Sequence, residues 1–375
     1  MNIASLFSSA GIAESRLNEI GINTLVSNEL IENRCNLYAE INPESEIISG
    51  DISLKSIEKA FIDLCKEKKI DVIMATPPCQ GMSVAGSMNP LDQRNHLIKY
   101  AIDIILELKP KYVFLENVPR QLKTKIAFDG NEILIPIYIQ NRLSDFYNFS
   151  NQNLIKAMDH GVPQMRQRNI ILCSRKDQKK IWELPEDKEK LINLEDAIGS
   201  FPEVDPIVRE DMGLTYELFP DFDKKTNKAK KFSKWHFPPT HAYKHIKTMQ
   251  KTPTGCTAFD NKFFYPKKSD GTRVSGHYNH YRRLEWSKPS RSLTQNNGVI
   301  SSLACVHPGR QKVGGGEKNR IFSDPRCFTI KELFTISTIN FDNRISNDTP
   351  EGLIRKVIGE GIPPLLVNKI FQQIL

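Results

Sequence analysis

The chain has 375 residues, 39% of them hydrophobic and 26% charged, with a formal net charge of +8. That balance gives room for one large and one smaller folded domain and excludes a fibrous or disordered chain. No apolar run of about 18 residues is present, and the first residues carry no basic segment ahead of an apolar one, so a cytoplasmic protein with no membrane span is expected.

An apolar strand at Ile3–Phe7 leads straight into Ser8-Ser9-Ala10-Gly11. A tight turn of small residues between strand and helix lets the backbone approach a ligand at the helix N-terminus. The second strand, Thr24–Ser27, is followed by Glu29, where nucleotide-binding folds carry the acid that accepts from ribose hydroxyls. Asp51, in Gly50-Asp51-Ile52, stands where a further strand end could reach an adenine. Only one glycine of a G-x-G-x-x-G pattern is present, which disfavours a dinucleotide.

The third strand, Asp71–Ala75, runs into Thr76-Pro77-Pro78-Cys79-Gln80. This puts a cysteine at the carboxyl edge of the sheet, where open α/β sheets bind ligands, behind two prolines that fix the backbone. A helix is predicted over Asn95–Leu108, in which Leu97, Ile98, Ala101, Ile102, Ile105 and Leu108 recur at helical spacing. The fourth strand, Tyr112–Leu115, ends in Glu116-Asn117-Val118, and the fifth, Ile170–Cys173, follows Gln164-Met165-Arg166-Gln167-Arg168. Alternation of this kind implies an α/β domain with a mainly parallel sheet covered by helices on both faces.

After about Lys190 the segments become short, irregular and rich in Pro, Lys, Asn and Ser, which reads as a loop-rich second domain. Residues 1–190, 191–345 and 346–375 are the expected divisions, the last holding an apolar helix over Leu365–Leu375 that needs a surface to cover. Between Lys224 and Lys251 lie nine lysines and three histidines with no acid, interleaved with Phe232, Trp235, Phe237 and Tyr243. That mixture suits a polyanion, since lysines neutralise phosphates and aromatics stack on bases; a solvated lysine-rich loop is the alternative. Seven cysteines without a C-x-x-C pair indicate neither a disulfide framework nor a metal cage.

A thiol at 79, a carboxyl at 116 and guanidiniums at 166 and 168 would arrive at one edge of one sheet. Attack on C6 of a pyrimidine needs that set: a thiolate, a group that protonates or hydrogen-bonds N3, and a cation for the charge developing at O2. Here the sequence resembles the DNA cytosine-C5 methyltransferase family over nearly its whole length and in the family's motif order. The matches are Leu6-Phe7 to Gly11, Glu29, Asp51-Ile52, Pro77-Pro78-Cys79-Gln80, Glu116-Asn117-Val118, Gln164 to Arg168 and Arg326 to Glu332. The stretch from Tyr281-Arg282-Arg283-Leu284 to Thr294, with His307-Pro308, is similar to the family's passage from recognition region to catalytic domain.

The resemblance implies a Rossmann-like S-adenosylmethionine-dependent methyltransferase domain with a smaller target-recognition domain covering about 194–299. It implies that Phe7, Gly11, Glu29, Asp51, Ile52, Pro78 and Leu97 bind S-adenosyl-L-methionine. Cys79 then adds to C6 of a cytosine flipped out of double-stranded DNA, Glu116 holds N3 and the exocyclic amine, and Arg166 and Arg168 position the base and the loop. A bacterial restriction-modification role is expected, beside a companion endonuclease, for a monomer associated with the nucleoid.

The chain departs from the family pattern at Ser9 and Ile12, where glycines are usual, at Glu360 for an asparagine, and at Lys331 for an arginine. A tRNA cytosine methyltransferase shares the chemistry and is marked by a Cys-Phe-Thr triplet. Cys327-Phe328-Thr329 spells it here, but in a later segment. A DNA-binding protein on an inactive methyltransferase fold is opposed by the intact Cys79, Glu116 and Arg168, and a nicotinamide oxidoreductase by the missing glycines.

Overall fold

The computed structural model describes residues 1–78, 93–341 and 343–375. Its centre is an eight-stranded sheet. Five strands, β1 (Asn2–Leu6), β2 (Asn23–Glu29), β3 (Glu46–Ser49), β4 (Val72–Ala75) and β5 (Tyr112–Asn117), run parallel in the order β3-β2-β1-β4-β5. A hairpin of β6 (Lys125–Phe128) and β7 (Asn131–Leu134) stands apart from them. The sheet is completed by β8 (Tyr147–Phe149), β9 (Leu154–Lys156) and β10 (Gln167–Arg175), β10 pairing antiparallel with β5, β8 and β9. The five strands read from the sequence are all present; β3, with only intermediate or exposed residues, escaped that reading.

Side chains alternate across the central strands, as the two-residue period of a strand requires. Ala4, Leu6, Ile73, Ala75, Val113 and Leu115 enter one core, and Ile3, Val72, Met74, Tyr112 and Phe114 the other. Helices α1 (Glu32–Ile41), α2 (Lys55–Glu67), α3 (Leu97–Leu108) and α4 (Ile135–Leu143) follow in the chain, and α2, α3 and α4 close the first core.

The second half contributes α5 (Leu194–Ile198), α6 (Met212–Leu218), α7 (Phe222–Phe232), α8 (Tyr243–Lys251), α9 (Ile330–Ile336), α10 (Glu351–Glu360) and α11 (Pro364–Gln372). The last of these closes the sheet's other face: Phe371 stacks on Phe114 with ring centroids 5.8 Å apart and meets Trp182 at 4.9 Å, while Trp182 Nε1 donates to the Ile370 carbonyl. A third core joins Ala10, Ile12 and Leu37 to α5, α9 and α10, so the first turn of the chain and its last third pack together. The irregular stretch before α9 is held by buried polar groups. Arg283, fully buried, donates to the carbonyls of Met249, His307, Ser323 and Asp324, and Arg326 is paired with Asp324 and Glu332 at 2.7 and 2.8 Å.

Two features singled out in the sequence find their places here. The aromatics of 224–251 are divided: Trp235 is buried, Trp235 and Phe237 pack in the third core, and Phe232, 45% exposed, lies against Phe201. Lys225 pairs with Asp205, and Lys234 and Lys251 donate to the carbonyls of Ile345 and Lys318. The Cys327-Phe328-Thr329 triplet is buried, and Thr329 caps α9 in a capping box with Glu332. Structure alone accounts for that triplet.

Candidate active site

The order of the parallel strands reverses between β1 and β4, and the loops leaving their carboxyl ends border the crevice such a reversal opens. After β1 the backbone turns through left-handed conformations at Phe7 (φ 59°), Ser9 (φ 51°) and Gly11 (φ 70°). A side-chain-bearing residue there costs on the order of 1–2 kcal/mol, and the loop is held by hydrogen bonds: Ser8 N–H donates to the Asn28 carbonyl, Ser9 N–H to Glu29 Oε2 at 2.9 Å, and Thr76 Oγ1 to the Phe7 carbonyl. Gly11 stands between Ala10 and Ile12, which line the crevice. A Cβ there would overlap Asn42 Nδ2 and the Tyr38 ring, and Asn42 Nδ2 donates to the Gly11 carbonyl, so this glycine serves close packing on α1.

The crevice is a cavity of about 1440 Å³. Its described lining brings together Phe7, Glu29, Asp51, Ile52, Pro78, Leu97, Glu116, Arg166 and Arg168. Cys79 lies outside the described residues; Pro77 and Pro78, which lead to it, are on the wall. Asn117 Nδ2 donates to the Pro77 carbonyl at 3.0 Å, tying the end of β5 to that turn. Glu29 accepts from Ile31 N–H as well as Ser9 N–H, and Asp51 from Ser53 N–H at 2.9 Å, so the backbone holds both carboxylates in place.

Across the cavity Glu116 and Arg168 form an ion pair, Nε to Oε1 at 2.6 Å, with about a tenth of each side chain exposed. Burial raises the Glu116 carboxyl above its ordinary range, against the lowering pull of Arg168 and Arg166. Arg166 works on backbone: its guanidinium donates to the carbonyls of Leu293, Gly359 and Glu360 at 3.0, 3.1 and 2.7 Å. It fastens two distant segments over the cavity.

Sequence reasoning missed two features of this lining. Arg34 on α1 pairs with Glu360 at 2.8 Å, so the departure at 360 carries its own counter-ion. Glu14 is 3% exposed and burial pushes its carboxyl up to about 7. Neither has a sequence signal, because each depends on a neighbour distant in the chain.

The family model for C-5 cytosine-specific DNA methylase matches residues 1–375. The chain is 37% identical to the type II methyltransferase M1.HgaI of Avibacterium volantium, over 99% of this chain and 97% of that one. It is 25% identical to M1.HphI of Haemophilus parahaemolyticus, over 99% and 85%. In fold it is similar to the Entamoeba histolytica methyltransferase EhMeth, with a TM-score of 0.61 at 17% identity over 100% and 97% of the two chains. An α/β methyltransferase core, a match along the full chain and a relative of equal length agree: the chain belongs to the C-5 cytosine-specific DNA methylases and is a DNA (cytosine-5-)-methyltransferase.

Proposed function

We propose that the enzyme methylates C5 of a cytosine flipped out of a specific duplex DNA sequence, as the modification half of a restriction-modification system. The observation that carries this is the Glu116–Arg168 pair in the same cavity as Glu29 and Asp51, beside the Pro77-Pro78 turn that leads to Cys79. The cavity suits S-adenosylmethionine: two carboxylates fixed by backbone amides stand among Phe7, Ile52, Pro78 and Leu97, and 1440 Å³ exceeds the roughly 300–1,000 Å³ of a single-ligand pocket. When bound, S-adenosylmethionine supplies a methyl group on a sulfonium sulfur.

The chain's own groups do the rest. Cys79 thiolate adds to C6 while Glu116, whose carboxyl burial raises above its ordinary range, delivers a proton to N3, and the ring becomes nucleophilic at C5. Arg168 holds the Glu116 carboxyl in place and offers positive charge toward O2. Once C5 carries the methyl group, loss of the C5 proton to water, departure of the thiolate and return of the N3 proton to Glu116 restore the neutral aromatic ring. Arg166 acts as a positioning residue.

Residues 1–190 serve in this reading as the catalytic and cofactor-binding part, 191–345 as the target-recognition part, and 346–375 as the closing segment. The enzyme works as a nucleoid-associated monomer beside a companion endonuclease, a role supported by relatives named as type II methyltransferases. No helix among the described residues is long and apolar enough to cross a membrane.

The test is methyl incorporation from labelled S-adenosylmethionine into duplex DNA and into transfer RNA, by the wild type and by Cys79→Ala. DNA carrying 5-fluorocytosine should trap a denaturant-resistant complex with the wild type alone, because fluorine at C5 blocks the elimination. Transfer to RNA only, or normal turnover by Cys79→Ala, overturns the proposal.

A further inference from the structure

Beside the cavity the second half of the chain carries a surface unlike the lysine run at 224–251. From Lys267 to Tyr278 every residue but Val274 is exposed, and Phe263 and Tyr278 are 53% and 55% exposed. Each exposed or half-buried aromatic in this stretch has a cation on or beside it. Lys318 lies 4.5 Å over Phe263, Lys267 and Arg273 lie 5.0 and 4.9 Å over Tyr265, and Arg282 lies 5.7 Å over Tyr278, which also packs on His277.

Two nearby acids are already engaged. Glu317 accepts from the amides of Lys262, Phe263 and Phe264, and Asp270 closes a turn on Thr272. The segment is anchored at both ends: Lys267 bridges to Arg273 across that turn, and Thr257 to Arg282. Two residues beyond Tyr278, His280 bridges to Leu303, and both line the cavity. Among the described residues, none from 224–251 and none from 262–279 lines the cavity itself.

We propose that residues 262–282 form the duplex-reading face of the second half, with Lys267, Lys268 and Arg273 on phosphates and Tyr278 contacting bases at the cavity rim. The assignment rests on duplex DNA being the substrate. A polyanion is the partner the charge fits, and exposed flat rings beside cations offer stacking to a base that has lost its neighbour. Tyr278 lies two residues before His280, which lines the cavity, so an aromatic wedge in this position would fill the space left by a cytosine moving into the cavity and keep the flanking pairs stacked.

The probe is a labelled duplex containing a site mapped by bisulfite sequencing of plasmid DNA from cells expressing the enzyme. The triple variant Lys267→Glu, Lys268→Glu, Arg273→Glu should bind it at least ~30-fold more weakly at about 0.1 M salt, with the log–log salt slope smaller by roughly 3. Tyr278→Ala should slow methyl transfer at least ~10-fold with affinity within ~3-fold of wild type, and Tyr278→Phe should restore the rate. Lys228→Glu, Lys230→Glu, Lys231→Glu together should leave affinity within ~3-fold, and every variant should keep the melting shift produced by S-adenosylmethionine.

The proposal is overturned if the 228–231 variant weakens binding while the 267–273 variant does not, or if Tyr278→Ala methylates at the wild-type rate. It is also overturned if the 267–273 changes remove transfer RNA binding and spare the duplex. Failure of the wild type to methylate any DNA removes the substrate reading itself, and the surface assignment with it.

Discussion

Glu14 makes the sharpest test of how the cavity floor is built. Its carboxyl is buried, with Oε1 lacking a hydrogen-bond partner, and its pKa rises from 4.5 to about 7 because burial outweighs a backbone amide and the hydroxyls of Ser5 and Tyr38. A folded-state pKa above the unfolded one stabilises the fold fully below 4.5, and that stability is lost as pH rises through 7. Between about pH 5 and pH 8 the loss integrates to about 2.5 kcal/mol, most of a maximum near 3.4 kcal/mol. Glu14→Gln keeps the shape and removes the titration. Urea unfolding of the cofactor-free protein at both pH values, with equal slopes, should therefore show the variant gaining about 2.5 kcal/mol on the wild type as pH rises. Parallel curves would refute the reasoning, since a carboxyl ionised throughout the folded state contributes no such difference.

Gly11→Ala meets both a left-handed φ of 70° and an overlap with Tyr38 and Asn42, and should cost roughly 2 kcal/mol or more of stability by thermal unfolding. Phe371→Ala opens a hole against Phe114 and Trp182 and should cost about 3–5 kcal/mol by the same measurement. Arg34→Ala, Glu360→Gln and the double variant should give a coupling energy of about 1–2 kcal/mol, between surface and fully buried pairs; additive effects would deny the ion pair a role.

The parts of the fold legible in the sequence are those governed by neighbours in the chain. The strands at Ile3, Thr24, Asp71, Tyr112 and Ile170 announce themselves by apolar runs, and α3 by its helical period, because burial on a sheet or helix face leaves a local pattern. The edge strand β3 buries little and leaves none. Glu29, Asp51 and Glu116 could be named because each closes or directly follows a strand, and strand ends meet at one edge. Gly11 is ambiguous in sequence because a glycine at a strand-to-helix turn answers equally to a ligand or to a packed helix, and spacing cannot separate them. The lysine run shows the limit of composition, which counts charges without their partners: Lys225 finds Asp205 while Trp235 finds a core built from residues some hundred positions later.

The two arginines of Gln164–Arg168 look equivalent in sequence, yet the partners they find differ in kind. Arg166 spans to carbonyls at 293, 359 and 360, and Gly359 there presses so close to the Thr294 carbonyl that a Cβ would overlap it. The cavity roof is thus assembled from segments that nothing in their own sequence binds together. Arg168 faces Glu116 and also donates to the Gln167 carbonyl. Arg166→Lys replaces a planar fork with a point donor and strands buried carbonyls, so it should lower stability by about 2–3 kcal/mol and weaken S-adenosylmethionine binding in proportion. Arg168→Lys keeps a cation beside Glu116 and should leave the melting temperature within about 2 °C while slowing methyl transfer, because the bond to Glu116 loses its fixed geometry. If Arg166→Lys slowed transfer without loss of stability, Arg166 would belong with the reacting groups, and the division drawn from its three carbonyl partners would be wrong.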